Sequence, residues 1–400
     1  MKILVVCQYY YPEPFRIPDI CEEMVKRGHQ VTVVTGVPNY PEGVIYPGFE
    51  KGKCRQQTIN GVDVHRCWTI PRKTGALYRL LNYYSFAVSS SLFVRKLPDD
   101  YDVVFVNQLS PVMMACAGIT YGKKFKKPVV MYCLDLWPES LIAGGIQRGS
   151  IVYKLFHWAS KRIYTRVDKV LVTSRMFIDY LAEQFGIHKE KLEYLPQYAE
   201  GIFNDLKPKA EENVLELTLA GNIGEIQSVQ TVLEAAALLQ NHPVRFHIVG
   251  GGTDLERLKE IAREQGLENV VFYGRRPLEE MPAFYERSDA MLVTLEADPI
   301  LSLTLPGKVQ SYMAAGKPII GAINGETARV IAEAECGFCG PAEDADALAK
   351  NISCFAEAEG RYRLGQNARV YYEREFTQSR FIDVLVSKLE EQQMASARVE

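Results

Sequence analysis

No run of 18 consecutive apolar residues occurs in this 400-residue chain, so no segment reads as a membrane-spanning helix. The opening MKILVVCQYYYPEPF has a short apolar run and no small-residue cleavage site; it reads as a first strand and not as a signal peptide. Histidine is scarce, at six residues. The nine cysteines are scattered and odd in number, which fits reduced thiols in a cytoplasmic protein. Cys336 and Cys339 form one C-x-x-C, which is half a zinc site. It lies in what reads as a glycine-rich turn (Gly337, Gly340), so packing is the favoured reading. The G-x-G-x-x-G spacing and the Walker lysine are absent, and so is any nucleic-acid recognition motif.

What is present is ample material for cores. The chain is 47% apolar and 24% charged, and its length suits two to three domains. The net charge of −3 hides an asymmetry: residues 1–200 carry 26 Lys+Arg against 18 Asp+Glu, residues 201–400 carry 20 against 31. A basic half suggests an anionic partner; chance plus one acidic helical surface is the plain alternative.

Short apolar runs alternate with amphipathic helical stretches throughout. Strands are expected at 2–7, 31–35, 62–68, 103–107, 129–133, 169–174 and 192–195, and again at 215–220, 245–249, 270–273, 290–294 and 318–321. Continuous apolar strands separated by helices imply a parallel sheet covered on both faces. The pattern occurs twice, around the polar, aperiodic PQYAEGIFNDLKPKAEEN. The expected fold is therefore α/β with two Rossmann-like, doubly wound domains facing across a cleft. Their expected extents are 1–198, a linker at 199–213, a second domain at 214–375, and a helix at 376–400 that packs elsewhere, the first domain being the candidate surface. Ligands of such sheets bind beyond the carboxyl ends of the strands.

Glycines cluster there in the second half: Gly221 and Gly224 in TLAGNIGEIQS, Gly250, Gly251 and Gly252 in HIVGGGTDLERL, and Gly274 before Arg275 in FYGRRP. Each alone is explained by a tight turn; together they suit backbone N–H groups converging on phosphate oxygens. In LTLPGKVQSYMAAGKPII, Pro306, Gly307 and Lys308 start a helix. Helix N–H groups, the helix dipole and an ammonium there favour an anion such as a diphosphate. A solvated surface lysine is the alternative.

The segments AGNIGEIQSVQTVLEAA, IVGGGTDLERLKEIA, VVFYGRRPLEEMPAFYERSDAMLV and PGKVQSYMAAGKPII resemble the donor domain of family 4 glycosyltransferases with the GT-B fold. QYYYPEPFRIPDICEEMVKRGHQVTVVT and DLWPES resemble the subgroup that builds capsule and O-antigen units, typified by transferases of N-acetylated amino sugars. The resemblance implies retaining transfer from a sugar nucleotide, expected to be UDP-linked, to an acceptor hydroxyl. The nucleotide is implied to lie on the second domain and the acceptor on the first, with no cofactor and no metal; DAD at 344–346 is then a polar turn with Asp344 as a cap. Donor-binding residues so implied are Asn222, Gly224, Gly251, Arg275, Pro306, Gly307, Lys308, Gln310 and Ser311. The family's two glutamates, eight residues apart around this helix, fall here on Leu303 and Ser311 and are missing. The second normally holds the ribose, so Ser311 or Gln310 is the expected substitute. The usual arginine and lysine after the domain's first strand are replaced by Asn222 and Gln227, which leaves Lys308 and Arg275 as the nearest cations.

In VVMYCLDLWPES, Asp135 ends a strand and Glu139 follows; the histidine that many relatives carry before the aspartate is Leu134 here. A strand-end carboxylate can orient or deprotonate an acceptor hydroxyl, so Asp135 and Glu139 are the catalytic candidates, with helix capping as the alternative. Glu13, Arg16 and Asn107, with Gln108 beside it, are weaker acceptor-side candidates. PRKTGALYRLLNYYSFAVSSSLFVRKLP and YKLFHWASKRIYTR mix basic with apolar and aromatic residues, a composition suited to an anionic membrane surface or equally to core packing. The expected partners are thus a sugar-nucleotide donor, a polyprenyl-diphosphate-linked saccharide acceptor and an anionic membrane, with no nucleic acid. The expected location is cytoplasmic, peripheral to the inner face of the cell membrane. Two rivals stay open: a sugar-nucleotide epimerase of the same fold, which the scarcity of histidines disfavours, and a non-catalytic sugar-nucleotide-binding partner, which the missing glutamates allow.

Overall fold

The computed structural model describes residues 1–73, 75–142, 145–204, 206, 207, 209 and 213–398. Of the expected linker, Asp205, Pro208, Ala210, Glu211 and Glu212 lie outside the described residues, as do Val399 and Glu400 of the expected last helix. The chain divides into two compact units: Met1–Leu195 with Ile382–Glu400, and Pro196–Phe381.

The first unit holds β1 (Lys2–Val6), β2 (Gln30–Thr35), β3 (Gln56–Ile59), β4 (Val62–Arg66), β5 (Val103–Gln108), β6 (Val129–Cys133), β7 (Lys169–Val172) and β8 (Leu192–Tyr194). They form one sheet in the order β3-β4-β2-β1-β5-β6-β7-β8, parallel except for β3 against β4. Every residue of the central β5 and β6 is buried, as two covered faces require. Strand β3 has no place in the sequence reading, because QQTI lacks apolar periodicity. The signal for it is Asn60-Gly61, with φ of 47° and 82°, a two-residue hairpin turn between Ile59 and Val62.

The second unit holds β9 (Leu215–Ala220), β10 (Val244–Val249), β11 (Val270–Gly274), β12 (Ala290–Thr294), β13 (Ile319–Ala322) and β14 (Gly337–Gly340), ordered β11-β10-β9-β12-β13-β14 and all parallel. Side chains alternate between two cores: Ala290 and Leu292 of β12 join Leu217, Val232 and Ile248, while Met291 and Val293 join Val309, Tyr312 and Val330. Truncating one of them, as in Leu292→Ala, should cost about 2–5 kcal/mol. The winding reverses between β9 and β12, and a ligand crevice forms at such a switch point.

Two expectations need correction. The C-x-x-C segment is not a turn: Cys339 lies in β14, and both Cys336 and Cys339 are free thiols that burial pushes up to about 12. Gly337 is needed there because a Cβ would stand 1.7 Å from the Ile319 carbonyl oxygen. The start of the expected linker is core and not tether: Phe203 is buried and stacked on Tyr285 at 4.6 Å, and Ala199 donates its N–H to the Phe376 carbonyl. The last helix, Gln378–Ala397, packs on the first unit through Asp383 with Arg27 and Lys388 with Glu193 at 2.8 Å.

Candidate active site

In the second unit, three loops at strand carboxyl ends are laced by backbone hydrogen bonds. Gly221 N–H donates to the Val249 carbonyl, Ile223 N–H to the Gly251 carbonyl, and Gly250 N–H to the Gly274 carbonyl. The lacing explains two glycines of the run. A Cβ on Gly250 would stand 1.8 Å from the Gly221 oxygen, and one on Gly252 would stand 2.0 Å from the Ile223 oxygen. Only Gly251 escapes such a clash; it faces the Cβ of the exposed Arg275 at 3.3 Å. Asn222 and Gln227 form a neutral clamp. Gln227 Oε1 accepts from Asn222 Nδ2 at 2.9 Å and from Gly224 N–H at 3.0 Å.

The helix Gly307–Ala314 opens against these loops. Pro306 occupies its N-cap position, where no side chain satisfies the first N–H groups. Lys308 lies over Gly221, its Cε and Nζ 3.3 Å from where a Cβ would stand. Its ammonium is buried and has no hydrogen-bond partner among the described residues. Burial pushes it down to about 8. A charge held this way gains most from an anion. Gln310 is committed inside the helix: with its amide oriented to donate, it meets the Pro306 and Gly307 carbonyls at 2.8 and 3.1 Å. Ser311 Oγ donates to Glu200 Oε2 at 3.1 Å, so the position that lacks a glutamate borrows a carboxylate from 111 residues upstream. Nothing local in the sequence signals Glu200.

In the first unit, Asp135 follows β6. Its Oδ2 accepts the Ser110 N–H at 3.0 Å, and its carbonyl accepts from Gln108 Nε2 at 3.0 Å. Burial raises the Asp135 carboxyl above its ordinary value. Glu139, the second catalytic candidate, is a different case. It is buried and accepts from Arg148 at 2.6 Å, from the Tyr153 hydroxyl at 2.6 Å and from the Tyr180 hydroxyl. Burial alone would raise its carboxyl; these three donors outweigh it and hold Glu139 below the usual value, so it braces the fold. Glu13 is likewise enclosed. Its two oxygens accept N–H groups of Tyr10, Asn39 and Tyr40, tying the loop after β1 to the loop after β2, and burial raises it to about 7. Arg16 is half-buried at the N-cap position of the helix Ile17–Lys26, and Asn107 is buried within β5. Asp344 caps the helix Ala345–Glu357 by accepting the Ala347 N–H at 2.8 Å. Among the described residues, no three or more His, Cys, Asp or Glu are grouped to hold a metal. His247, in β10, is locked between Glu216 and the Tyr273 hydroxyl.

Doubly wound sheets in both units, with a buried ammonium among the strand-end loops of one and a buried carboxyl at a strand end of the other, suit a two-substrate transferase. Family comparison agrees: residues 15–197 match the glycosyl transferase 4-like domain and residues 203–371 match glycosyl transferases group 1. The chain belongs to the family 4 glycosyltransferases of the GT-B fold. It is 28% identical over 340 residues to the colanic acid biosynthesis glycosyl transferase WcaI of Escherichia coli (strain K12), covering 79% of this chain and 82% of that one. Sucrose-phosphate synthase from Thermosynechococcus elongatus shares the fold with a TM-score of 0.76 at 16% identity, covering 99% of this chain and 100% of that one. Anabaena HepE, solved in complex with UDP, has a TM-score of 0.70 at 14% identity, covering 98% and 100%.

Proposed function

We propose that this glycosyltransferase moves a sugar, an N-acetylated amino sugar, from a UDP-linked donor to a lipid-linked saccharide in the assembly of a bacterial surface polysaccharide, with retention at the anomeric carbon. The observation that carries the donor side is the buried, unpartnered Lys308 ammonium at an uncapped helix start among the laced glycine loops. As the bond between the anomeric carbon and the diphosphate oxygen breaks, charge grows on the leaving diphosphate, and Lys308 with the helix N–H groups neutralises it without a metal. The Ser311–Glu200 pair stands one helical turn further on, about 5 Å, and takes the ribose hydroxyls. Asp135 is assigned the acceptor hydroxyl, since a carboxyl raised by burial suits proton transfer. The nucleotide UDP is supported by the fold shared with HepE, and the polysaccharide setting by the likeness to WcaI.

A membrane setting is supported by two helices that are apolar on the wrong side. In Ala76–Val94, Tyr83, Phe86 and Val94 are buried, yet Leu77, Leu81, Tyr84, Val88 and Leu92 form an exposed stripe at helical spacing. In Ile151–Tyr164, Ile151, Leu155 and Trp158 do the same beside Lys154, Lys161 and Arg162. Among the described residues no helix is long and apolar enough to cross a membrane, so these faces suit contact with a bilayer surface and its anionic headgroups. Calorimetric titration with UDP, GDP and dTDP, followed by turnover with the matching sugar nucleotides, tests the donor reading. Binding of UDP, with transfer from a UDP-N-acetylhexosamine, is expected. Binding of none of the three would overturn it.

A further inference from the structure

The second unit contains a cavity of about 530 Å³ at the other ends of its strands from the glycine loops. Ser288 and Asp289 in its wall immediately precede β12, and Lys317 and Pro318 immediately precede β13. Its charge runs against its surroundings. Residues 201–400 are strongly acidic in balance, yet among the described residues the lining brings together Lys207, Lys209, Lys317, Arg361 and Arg369 with Asp289 as its one acid, while Glu286 accepts the Lys207 N–H beside it.

Three of these cations are anchored. Lys317, 6% exposed, donates to the Glu286 and Ser288 carbonyls at 3.1 and 2.8 Å. Arg369 donates to the Asn204 and Ala314 carbonyls at 2.8 and 2.7 Å, and Lys209 pairs with Asp289 at 2.7 Å. Lys317 is anchored to neutral carbonyls near the Asp289 and Glu286 carboxylates, and Glu373 meets Arg369 from outside the lining at 2.8 Å. The other two, Lys207 and Arg361, have no ion pair among the described residues. The Arg361 guanidinium lies 6.0 Å from the Phe355 ring centroid, and the neighbouring Tyr362 ring is 71% exposed. Anchored positive charge, two cations without an ion pair and the aromatic surface of Phe355 and Tyr362 suit a small organic molecule that carries linked phosphoryl groups.

We propose that this cavity is a second anion site, separate from the one at Lys308, which binds a small multiply phosphorylated metabolite. Lys207 and Arg361 hold its phosphoryl groups, and Tyr362 covers its organic part. Occupation would tie the segment 314–318, which follows the helix that carries Lys308, to the start of the helix Tyr362–Glu375.

The test is hydrogen exchange of the full chain read by mass spectrometry, with inorganic pyrophosphate as the probe. Slower exchange is expected in peptides covering 314–318 and 361–369. Lys207→Gln with Arg361→Gln should need at least about tenfold more pyrophosphate for the same protection, as the loss of charge-assisted bonds implies. Protection at 307–311 should stay as in the parent. Both side chains lie at the rim, so the variant should melt with the parent; if it does not, Lys207→Gln alone gives the same readout. Absence of protection at 314–318 and 361–369, or equal protection in the variants, would overturn the proposal. Exchange slowed only around 307–311 would do so as well, since it assigns all binding to the first site.

Discussion

Replacing Lys308 with methionine should make the free protein more stable and a poorer binder. The ammonium is buried without a hydrogen-bond partner among the described residues, and its pKa falls from the ordinary 10.5 to about 8. The folded state therefore binds fewer protons than the unfolded one between those values, and stability rises with pH through that window. Below about 8 both states are protonated and the full cost is borne, about 3 kcal/mol at pH 7 from about 1.4 kcal/mol per decade. Methionine keeps the length of the side chain and removes the charge. The melting transition of the second unit should then rise by about 6–12 °C, since a domain of this size gains roughly 2–4 °C per kcal/mol. The rise in stability between pH 8 and 10.5 should flatten.

The same substitution should weaken UDP binding by about 1.5–3 kcal/mol, the range for a charge-assisted hydrogen bond. A bound diphosphate restores the partner that the ammonium lacks and moves its pKa back up. At pH 8 about half a proton should be taken up per UDP bound, visible as a dependence of calorimetric heat on the ionisation enthalpy of the buffer. Affinity should fall as pH rises above about 8 in the parent and stay level in Lys308→Met. A variant that melts lower than the parent, or a parent whose UDP affinity is level from pH 7 to 9.5 with no proton uptake, would refute the reasoning.

Four further outcomes are expected. Glu139→Gln leaves Tyr153, Tyr180 and Arg148 without their shared carboxylate; it should lose about 1–3 kcal/mol of stability by denaturant titration while UDP affinity is unchanged. Asp135→Asn keeps the shape and should lower kcat much more than it raises the Kd for the donor; unchanged kcat with a lower Tm would make it a structural residue. Glu200→Gln should weaken UDP more than inorganic pyrophosphate, which has no ribose; equal losses would remove the Ser311–Glu200 pair from nucleotide recognition. Leu81→Ser, Val88→Ser and Arg79→Gln together should reduce sedimentation with anionic vesicles while activity on a short soluble acceptor is retained, and unchanged sedimentation would clear the Ala76–Val94 face of membrane contact.

What was legible in the sequence is what local chemistry decides. Strands such as β6 and β12 announce themselves because a strand buried on both faces is apolar nearly throughout. Lys308 was legible for a related reason: Pro-Gly-Lys states a helix start and places a cation on it within three residues. The strand β3 escaped because its stability lies in pairing and in an Asn-Gly turn and not in apolar pattern. Neither was it local information that Gly250 and Gly252 answer to neighbouring carbonyls more than to a ligand.

The acidic residues show where the limit lies. Asp135, Glu139 and Glu13 look alike in the chain, each an acid near the end of a strand. Glu139 gathers donors from 9, 14 and 41 residues away, and Glu13 gathers two of its three from 26 and 27 residues away. A buried carboxylate that is fully hydrogen-bonded has no free energy to gain from a substrate, so enclosure turns a candidate into a brace. Lys308 is the opposite case, a buried charge with no acceptor opposite it among the described residues, and the free energy that folding leaves unrecovered there is available to a ligand of the right sign. The count of partners around each charge separates the two roles. That count depends on residues far apart in the chain, as with Ser311 and Glu200, and comes into being only with the fold.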